Sequence, residues 1–249
     1  MTTVLETRNL RKDFGALKAT QDVSFRLEAG ARHALIGPNG AGKTTFINLL
    51  TGVLKPTSGE IFLNGDDITS VRRDRRVARG LVRTFQINQL FGKLNVAESI
   101  GLVISERRGH GRDWWRFAGK LPGIADEIAQ LATDFGLDSV LDQPCAGLPY
   151  GKQRLLEIAL AIAAKPKVLL MDEPAAGVPE ADRHEVLDRI SALPSDVSIL
   201  LIEHDMDLVF NFASRISVLV GGALFAEGTT AEIANDPRVR EVYLGGGDE

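Results

Sequence analysis

The sequence predicts an α/β fold, a mainly parallel sheet with helices on both faces. Three observations carry that prediction. From Val168 to Val220, short apolar runs alternate with segments of helical periodicity. Near residue 36, another apolar run passes straight into a glycine-rich stretch and then into a helical pattern. Hydrophobic residues make up 44% of the 249, enough for the core of one large domain or one domain with an inserted lobe.

Val4 to Phe14 and Val23 to Leu27 read as strands with partial alternation, separated by Gly15 and polar residues. His33 to Ile36 is a short apolar strand, and Lys43 to Leu50 a helix that ends near Gly52. Ile61 to Leu63 is a strand before an Asn64-Gly65 turn. Asn95 can cap a helix through Val96, Ile100 and Val103. Ser105 to Lys120 breaks that pattern and reads as a loop or irregular insert. Ile124 to Phe135 and Tyr150 to Ala164 return to helical periodicity. Val168 to Met171, Val197 to Ile202 and Ile216 to Val220 are strands, with helices at Glu180 to Leu193 and Asp205 to Ala213 between them. The tail from Gly245 to Glu249 is expected to fray.

Bulk properties remove several function classes. With 29 Lys and Arg against 33 Asp and Glu, the net charge of -4 argues against nucleic acid as a partner. The single cysteine, Cys145, excludes an internal disulfide or a multi-cysteine metal site and suits a reducing compartment. The first residues lack the apolar stretch of a signal peptide. A membrane span needs about 20 apolar residues, and the best candidate, Leu155 to Ala164, is too short and carries Glu157.

Gly37-Pro38-Asn39-Gly40-Ala41-Gly42-Lys43-Thr44 matches the phosphate-binding loop pattern in full, with a strand before it and a helix after it. Glycines let successive N–H groups turn inward as an anion-binding nest, with no Cβ in the way. Lys43 supplies a point charge for the β- and γ-phosphates, and the Thr44 hydroxyl is placed to ligate Mg2+. The helix behind them, with Thr45 in its first turn, aims its positive end at the phosphates. A chance glycine-rich turn would not bring both pattern and context together.

A second candidate site follows the strand Val168 to Met171, where Asp172 and Glu173 fall at its carboxyl end, the ligand edge of an open parallel sheet. Two acids after a strand are by themselves a solvated turn. Beside a phosphate loop, Asp172 becomes a Mg2+ ligand, through water, and Glu173 the base that orients and deprotonates the attacking water. His204 closes the strand Val197 to Ile202 and should reach the same edge to contact the γ-phosphate. Gln86, in Arg83-Thr84-Phe85-Gln86, carries no reading by itself.

Taken in order, these pieces resemble the nucleotide-binding subunit of an ABC transporter over almost the whole chain. Gln86 stands at the place of the family's Q-loop, with a metal contact implied, and Leu148-Pro149-Tyr150-Gly151-Lys152-Gln153 where its signature motif belongs. Asp172 and Glu173 then match the Walker B strand, Ala175 to Pro179 the D-loop and His204 the switch histidine. Phe14 matches the aromatic that stacks on adenine in this family; otherwise a strand-end phenylalanine would be core. Finer details look like the ATPases of branched-chain amino-acid importers: Arg83 to Gln86, Tyr150-Gly151, Arg154 to Ala159, Asp172 to Gly177, Glu203 to Met206 and Val239 to Gly245.

The resemblance implies a P-loop NTPase of the ABC type. Its mainly parallel core would carry an N-terminal antiparallel β subdomain, and a helical subdomain at roughly 87–165 would be inserted in a single domain spanning 1–249. It implies ATP and Mg2+ as ligands and a head-to-tail pair with a second, identical or homologous, ATPase subunit. The signature segment Leu148 to Lys152 of one subunit would cover the γ-phosphate held by the other. Integral-membrane permease subunits would receive the motion, with no direct cargo binding here. The chain would be cytoplasmic, peripheral on the inner face of the plasma membrane.

Three departures stand out. Pro149 replaces the usual signature serine and offers neither hydroxyl nor N–H, although proline suits a first helical turn. Lys152 replaces a glutamine and adds charge near the expected dimer interface. Pro179 sits where the D-loop carries aspartate or asparagine. Slower basal turnover is the expected consequence.

Two basic stretches stay outside the motifs. Arg72, Arg73, Arg75, Arg76 and Arg79 read as a solvated helix face. Arg107, Arg108, Arg112, Trp114, Trp115 and Arg116 read either as a bilayer or permease contact or as a plain surface loop. The leading functional reading is ATP hydrolysis driving solute import. A soluble ABC ATPase without a permease and a nucleotide switch without hydrolysis are the alternatives. The first would show coiled-coil inserts, basic surfaces or fused ATPase units, and intact Glu173 and His204 speak against the second.

Overall fold

The computed structural model describes residues 2–84, 92–110 and 123–244. Its first elements are β1 (Thr3–Phe14), β2 (Leu17–Glu28), β3 (Arg32–Ile36), α1 (Lys43–Thr51), β4 (Ser58–Leu63), β5 (Asp66–Asp67), α2 (Arg73–Ala78) and β6 (Leu81–Arg83). Then follow α3 (Val96–Arg107), α4 (Ile124–Asp134), α5 (Tyr150–Ala163), β7 (Val168–Asp172), α6 (Glu180–Ser191), β8 (Ser198–Ile202) and α7 (Met206–Phe212). The last elements are β9 (Arg215–Val220), β10 (Ala223–Thr229), α8 (Thr230–Asn235) and α9 (Pro237–Leu244). The chain folds as two compact units. One holds Met1–Arg83, Lys167–Glu173 and Pro194–Glu249, the other Thr84–Pro166 and Pro174–Leu193.

The first unit contains both sheets. A four-stranded antiparallel sheet runs β2-β1-β4-β5, and a six-stranded sheet runs β10-β9-β3-β8-β7-β6. In the larger sheet every pairing is parallel except that of β10 with β9. Short runs such as Ser198–Ile202 are buried along their whole length, as strands covered on both faces must be. Phe46, Ile47, Leu49 and Leu50 of helix α1 share one buried cluster with Leu5 and Phe25 of the antiparallel sheet and Leu35 and Leu200 of the larger one. Each such side chain contributes about 1.5–3 kcal/mol when fully buried.

The expected strand Val23 to Leu27 is longer. β2 starts at Leu17, because the hairpin register from Phe14↔Leu17 to Thr3↔Glu28 pairs its entire length with β1. Strand β6 has three residues, too few to show a period. Strand β10 and helices α8 and α9 also lack a clear pattern; β10 has a single buried residue.

Arg76 corrects the solvated face expected of the arginine run. It is buried, and its guanidinium donates to Val71 O at 2.8 Å, Leu49 O at 2.7 Å, Leu50 O at 2.6 Å and Thr69 O at 2.9 Å. Two of those carbonyls end α1, so a cation sits at the negative end of that helix. Arg72, Arg73, Arg75 and Arg79 are exposed as expected.

The second unit is helical. Helix α3 begins with a capping box between Asn95 and Glu98 and runs to Arg107, past the break expected at Ser105. The extension holds because Ser105 is buried and Arg107 is anchored, donating to Glu127 at 2.8 Å and to Ala163 O at 2.6 Å. That guanidinium ties α3 to α4 and α5, and it keeps the Glu127 carboxyl below its ordinary range.

Candidate functional site

Three strand ends meet on one sheet edge. Strand β8 lies between β3 and β7, with Ile202 level with Leu35 on one side and Asp172 on the other. The phosphate loop leaves β3, Glu173 follows β7, and Glu203 and His204 follow β8. This is the edge where open parallel sheets bind ligands.

The loop Gly37 to Gly42 closes tightly before α1. A Cβ on Gly37 would lie 2.2 Å from Leu219 O, and one on Gly42 would lie 2.4 Å from Ala19 O. Gly42 also has φ of 98° as the residue ahead of the helix, so glycine is required there on two counts. Ala41 is buried, while Asn39, Gly40 and Thr44 are exposed. Pro38 and Thr45 are half-buried. Lys43 folds back over the loop and donates to Gly37 O at 2.5 Å and Pro38 O at 3.1 Å. Burial lowers the Lys43 pKa, and the negative charges of Glu173 and Asp172 partly offset that shift. The ammonium and both carboxylates therefore share one electrostatic site.

Glu173 has φ of 47°, a left-handed conformation uncommon outside glycine, and its N–H donates to Ile202 O at 2.9 Å. Holding a glutamate there costs on the order of 1–3 kcal/mol, which the surrounding sheet must offset. His204 is 67% exposed, with Nδ1 3.4 Å from Glu173 Oε1. Glu203, read in the sequence only as part of the segment Glu203 to Met206, is buried. Its Oε2 accepts from the N–H of His204 at 3.1 Å and of Asp205 at 3.4 Å, bracing the turn.

The donor chemistry fits a small hard cation. The Thr44 hydroxyl and the Asp172 carboxylate are oxygen ligands of the kind Mg2+ takes beside phosphates. Among the described residues, no group of three or more His, Cys, Asp or Glu could hold a metal. Arg83, read in the sequence only as part of a motif, donates to Asp172 Oδ2 at 2.5 Å. No local pattern could have revealed a partner 89 residues away.

Phe14 lies at the tip of the β1–β2 hairpin, paired with Leu17 and 46% exposed, with Lys12 Nζ 5.1 Å from its ring centroid. Gln86, Trp114 and Trp115 lie outside the described residues, as do Arg112 and Arg116.

In the helical unit, α5 begins at Tyr150 with Pro149 as its N-cap at φ of -52°. Pro149 and Tyr150 are exposed, whereas Leu148 and Gly151 are buried. The Tyr150 hydroxyl donates to Ala176 O at 3.1 Å. Pro179 likewise caps α6. Lys152 adds less charge than its sequence position suggests, because Glu185 accepts from it at 2.8 Å and Gly136 O at 2.9 Å. Arg154 donates to Pro174 O at 2.6 Å and to Glu157 at 2.7 Å, and burial pushes the Glu157 carboxyl up to about 7.

A family model described as ABC transporter matches residues 20–176. The chain belongs to the ABC transporter family. A second model, described as branched-chain amino acid ATP-binding cassette transporter, matches residues 223–249. A probable branched-chain amino acid transport ATP-binding protein, LivG of Archaeoglobus fulgidus, is 39% identical over 98% of this chain and 96% of its own. The high-affinity branched-chain amino acid transport ATP-binding protein BraF of Pseudomonas aeruginosa is 35% identical over 97% of this chain and 98% of its own. Among solved structures, a nucleotide-free ATP-binding cassette from an ABC transporter superposes with a TM-score of 0.82 at 31% identity. It covers 97% of this chain and 98% of that one. A cassette in its ADP conformation has the same score and identity, covering 98% and 100%. The mixed sheets and helices are thus those of an ABC ATPase cassette. Among the described residues, no helix is long and apolar enough to cross a membrane.

Proposed function

We propose that this chain hydrolyses ATP to energise an ABC importer of branched-chain amino acids or related small polar solutes. The observation that supports it most is the convergence on one sheet edge of Lys43, Asp172, Glu173 and His204. The importer class rests on the similarity to LivG and BraF and on the C-terminal match.

The loop N–H groups and Lys43 hold the β- and γ-phosphates, with Gly37 to Thr45 around them and Phe14 under the adenine. Thr44 and Asp172, with Gln86, would hold Mg2+, which would supply neutralisation of phosphate charge. Glu173 accepts a proton from water as the water oxygen attacks the γ-phosphorus; the bond from that phosphorus to the oxygen of ADP breaks, giving ADP and inorganic phosphate. His204 contacts the γ-phosphate and keeps the Glu173 carboxylate turned toward the water.

A second ATPase subunit packs head-to-tail, so that Leu148 to Lys152 of one covers the nucleotide of the other, with the start of α5 pointing its N–H groups at the γ-phosphate. Pro149 withholds two of the contacts a serine would make. Closure on ATP and reopening after hydrolysis pass through Gln86 and the helical subdomain, roughly 87–165, to membrane permeases. The chain sits on the cytoplasmic face of the membrane and does not touch cargo. A tagged pull-down from gently solubilised membranes tests this. Multi-span permeases among the co-purifying proteins support import; soluble partners alone contradict it and leave a permease-free ABC ATPase.

A further inference from the structure

Arg83 ends β6, the edge strand beside β7. One arm of its guanidinium donates to Asp172 Oδ2 at 2.5 Å and the other to Asn48 Oδ1 at 2.9 Å. The side chains of Arg83 and Asp172 keep only 20% and 18% exposure, so water and salt screen this pair less than a surface pair. Asn48 lies one turn beyond Thr44 on the same face of α1. A single guanidinium therefore spans the strand that carries Asp172 and the helix that carries Thr44.

Arginine stays charged at every ordinary pH. Asp172 and Glu173 are consecutive acids at one strand end, and Arg83 supplies a fixed positive charge against the first of them. Any further cation at Asp172 meets that charge. Its approach either shares the carboxylate with the guanidinium, at the cost of their mutual repulsion, or loosens the bond to Oδ2.

We propose that Arg83 is a resident counter-cation of Asp172, a positioning residue that competes with Mg2+ for this carboxylate and sets how much Mg2+ the site requires. The inference rests on the reading of Asp172 as the metal ligand. Its sign is specific. A residue that merely supports the fold would weaken metal binding when lost, whereas a competing cation strengthens it.

The test measures the affinity of a fluorescent ADP analogue for the full-length chain across a range of free Mg2+, which avoids hydrolysis altogether. Arg83→Gln removes the charge, and the Mg2+ midpoint falls about tenfold. Arg83→Lys keeps the charge, and its midpoint stays near that of the unaltered chain. Arg83→Met, close to arginine in length and likewise uncharged, carries the test if Arg83→Gln does not fold, and its midpoint also falls. A midpoint that is unchanged or raised in the folded Arg83→Gln chain, or in Arg83→Met when it stands in, overturns the proposal. Asp172→Asn separates the two levels: if it retains the full Mg2+ dependence, the metal-site reading itself falls.

Discussion

The imidazole Nδ1 of His204 lies 3.4 Å from Oε1 of Glu173, although the two residues leave different strands 31 positions apart. The contact follows from the sheet order, which places β8 directly beside β7. Glu203 braces the turn at the histidine, and Glu173 adopts a left-handed backbone where the chain leaves β7.

Lys43→Ala removes a half-buried ammonium that donates to two loop carbonyls and faces both acids. Losing charge-assisted contacts to phosphate should weaken ATP binding by about a hundredfold or more. Equilibrium binding of ATP to the purified chain checks it, and affinity close to that of the unaltered protein contradicts the phosphate-loop assignment.

Gly42→Ala should damage the same loop by a steric route. The added Cβ would sit 2.4 Å from Ala19 O at a φ of 98°. The strain is on the order of 1–3 kcal/mol. Denaturant unfolding should show that loss of stability, and ATP binding should weaken with it.

His33 gives the folded protein an acid-side weakness. It is buried with Nε2 2.8 Å from Ser217 Oγ, and burial pushes its pKa down from 6.5 to about 4. The unfolded chain binds a proton in that interval and the folded chain does not. Its contribution is therefore complete above pH 6.5 and is lost as the pH falls toward 4, by roughly 3 kcal/mol. Denaturant midpoints measured across that range should fall less steeply for His33→Gln.

How much of this was legible in the sequence depended on the range of each signal. The phosphate loop, Asp172 with Glu173, and the alternation from Val168 to Val220 are local patterns, and local patterns can be read along a chain. Arg83 and Asp172 are not local: the partners are joined only because β6 pairs with β7. Arg76 sits in a run of five arginines, and nothing in the run marks the one whose guanidinium reaches the end of α1. Lys152 reads as added charge near the dimer interface, and only folding brings Glu185 to it.

Pro149→Ser should raise basal ATP turnover in the assembled transporter, by about tenfold if the hydroxyl regains one hydrogen bond to a charged phosphate. The proline is exposed at the N-cap of α5, so the exchange need not disturb the helix. Unchanged turnover would remove the proline as the cause of any slow basal rate.

The most direct measurement compares ATP binding and ATP turnover in the Glu173→Gln chain. If Glu173 is the base, ATP stays bound while turnover falls by about 10²–10⁴. Turnover at the unaltered rate would contradict the assignment and move the base elsewhere in the site.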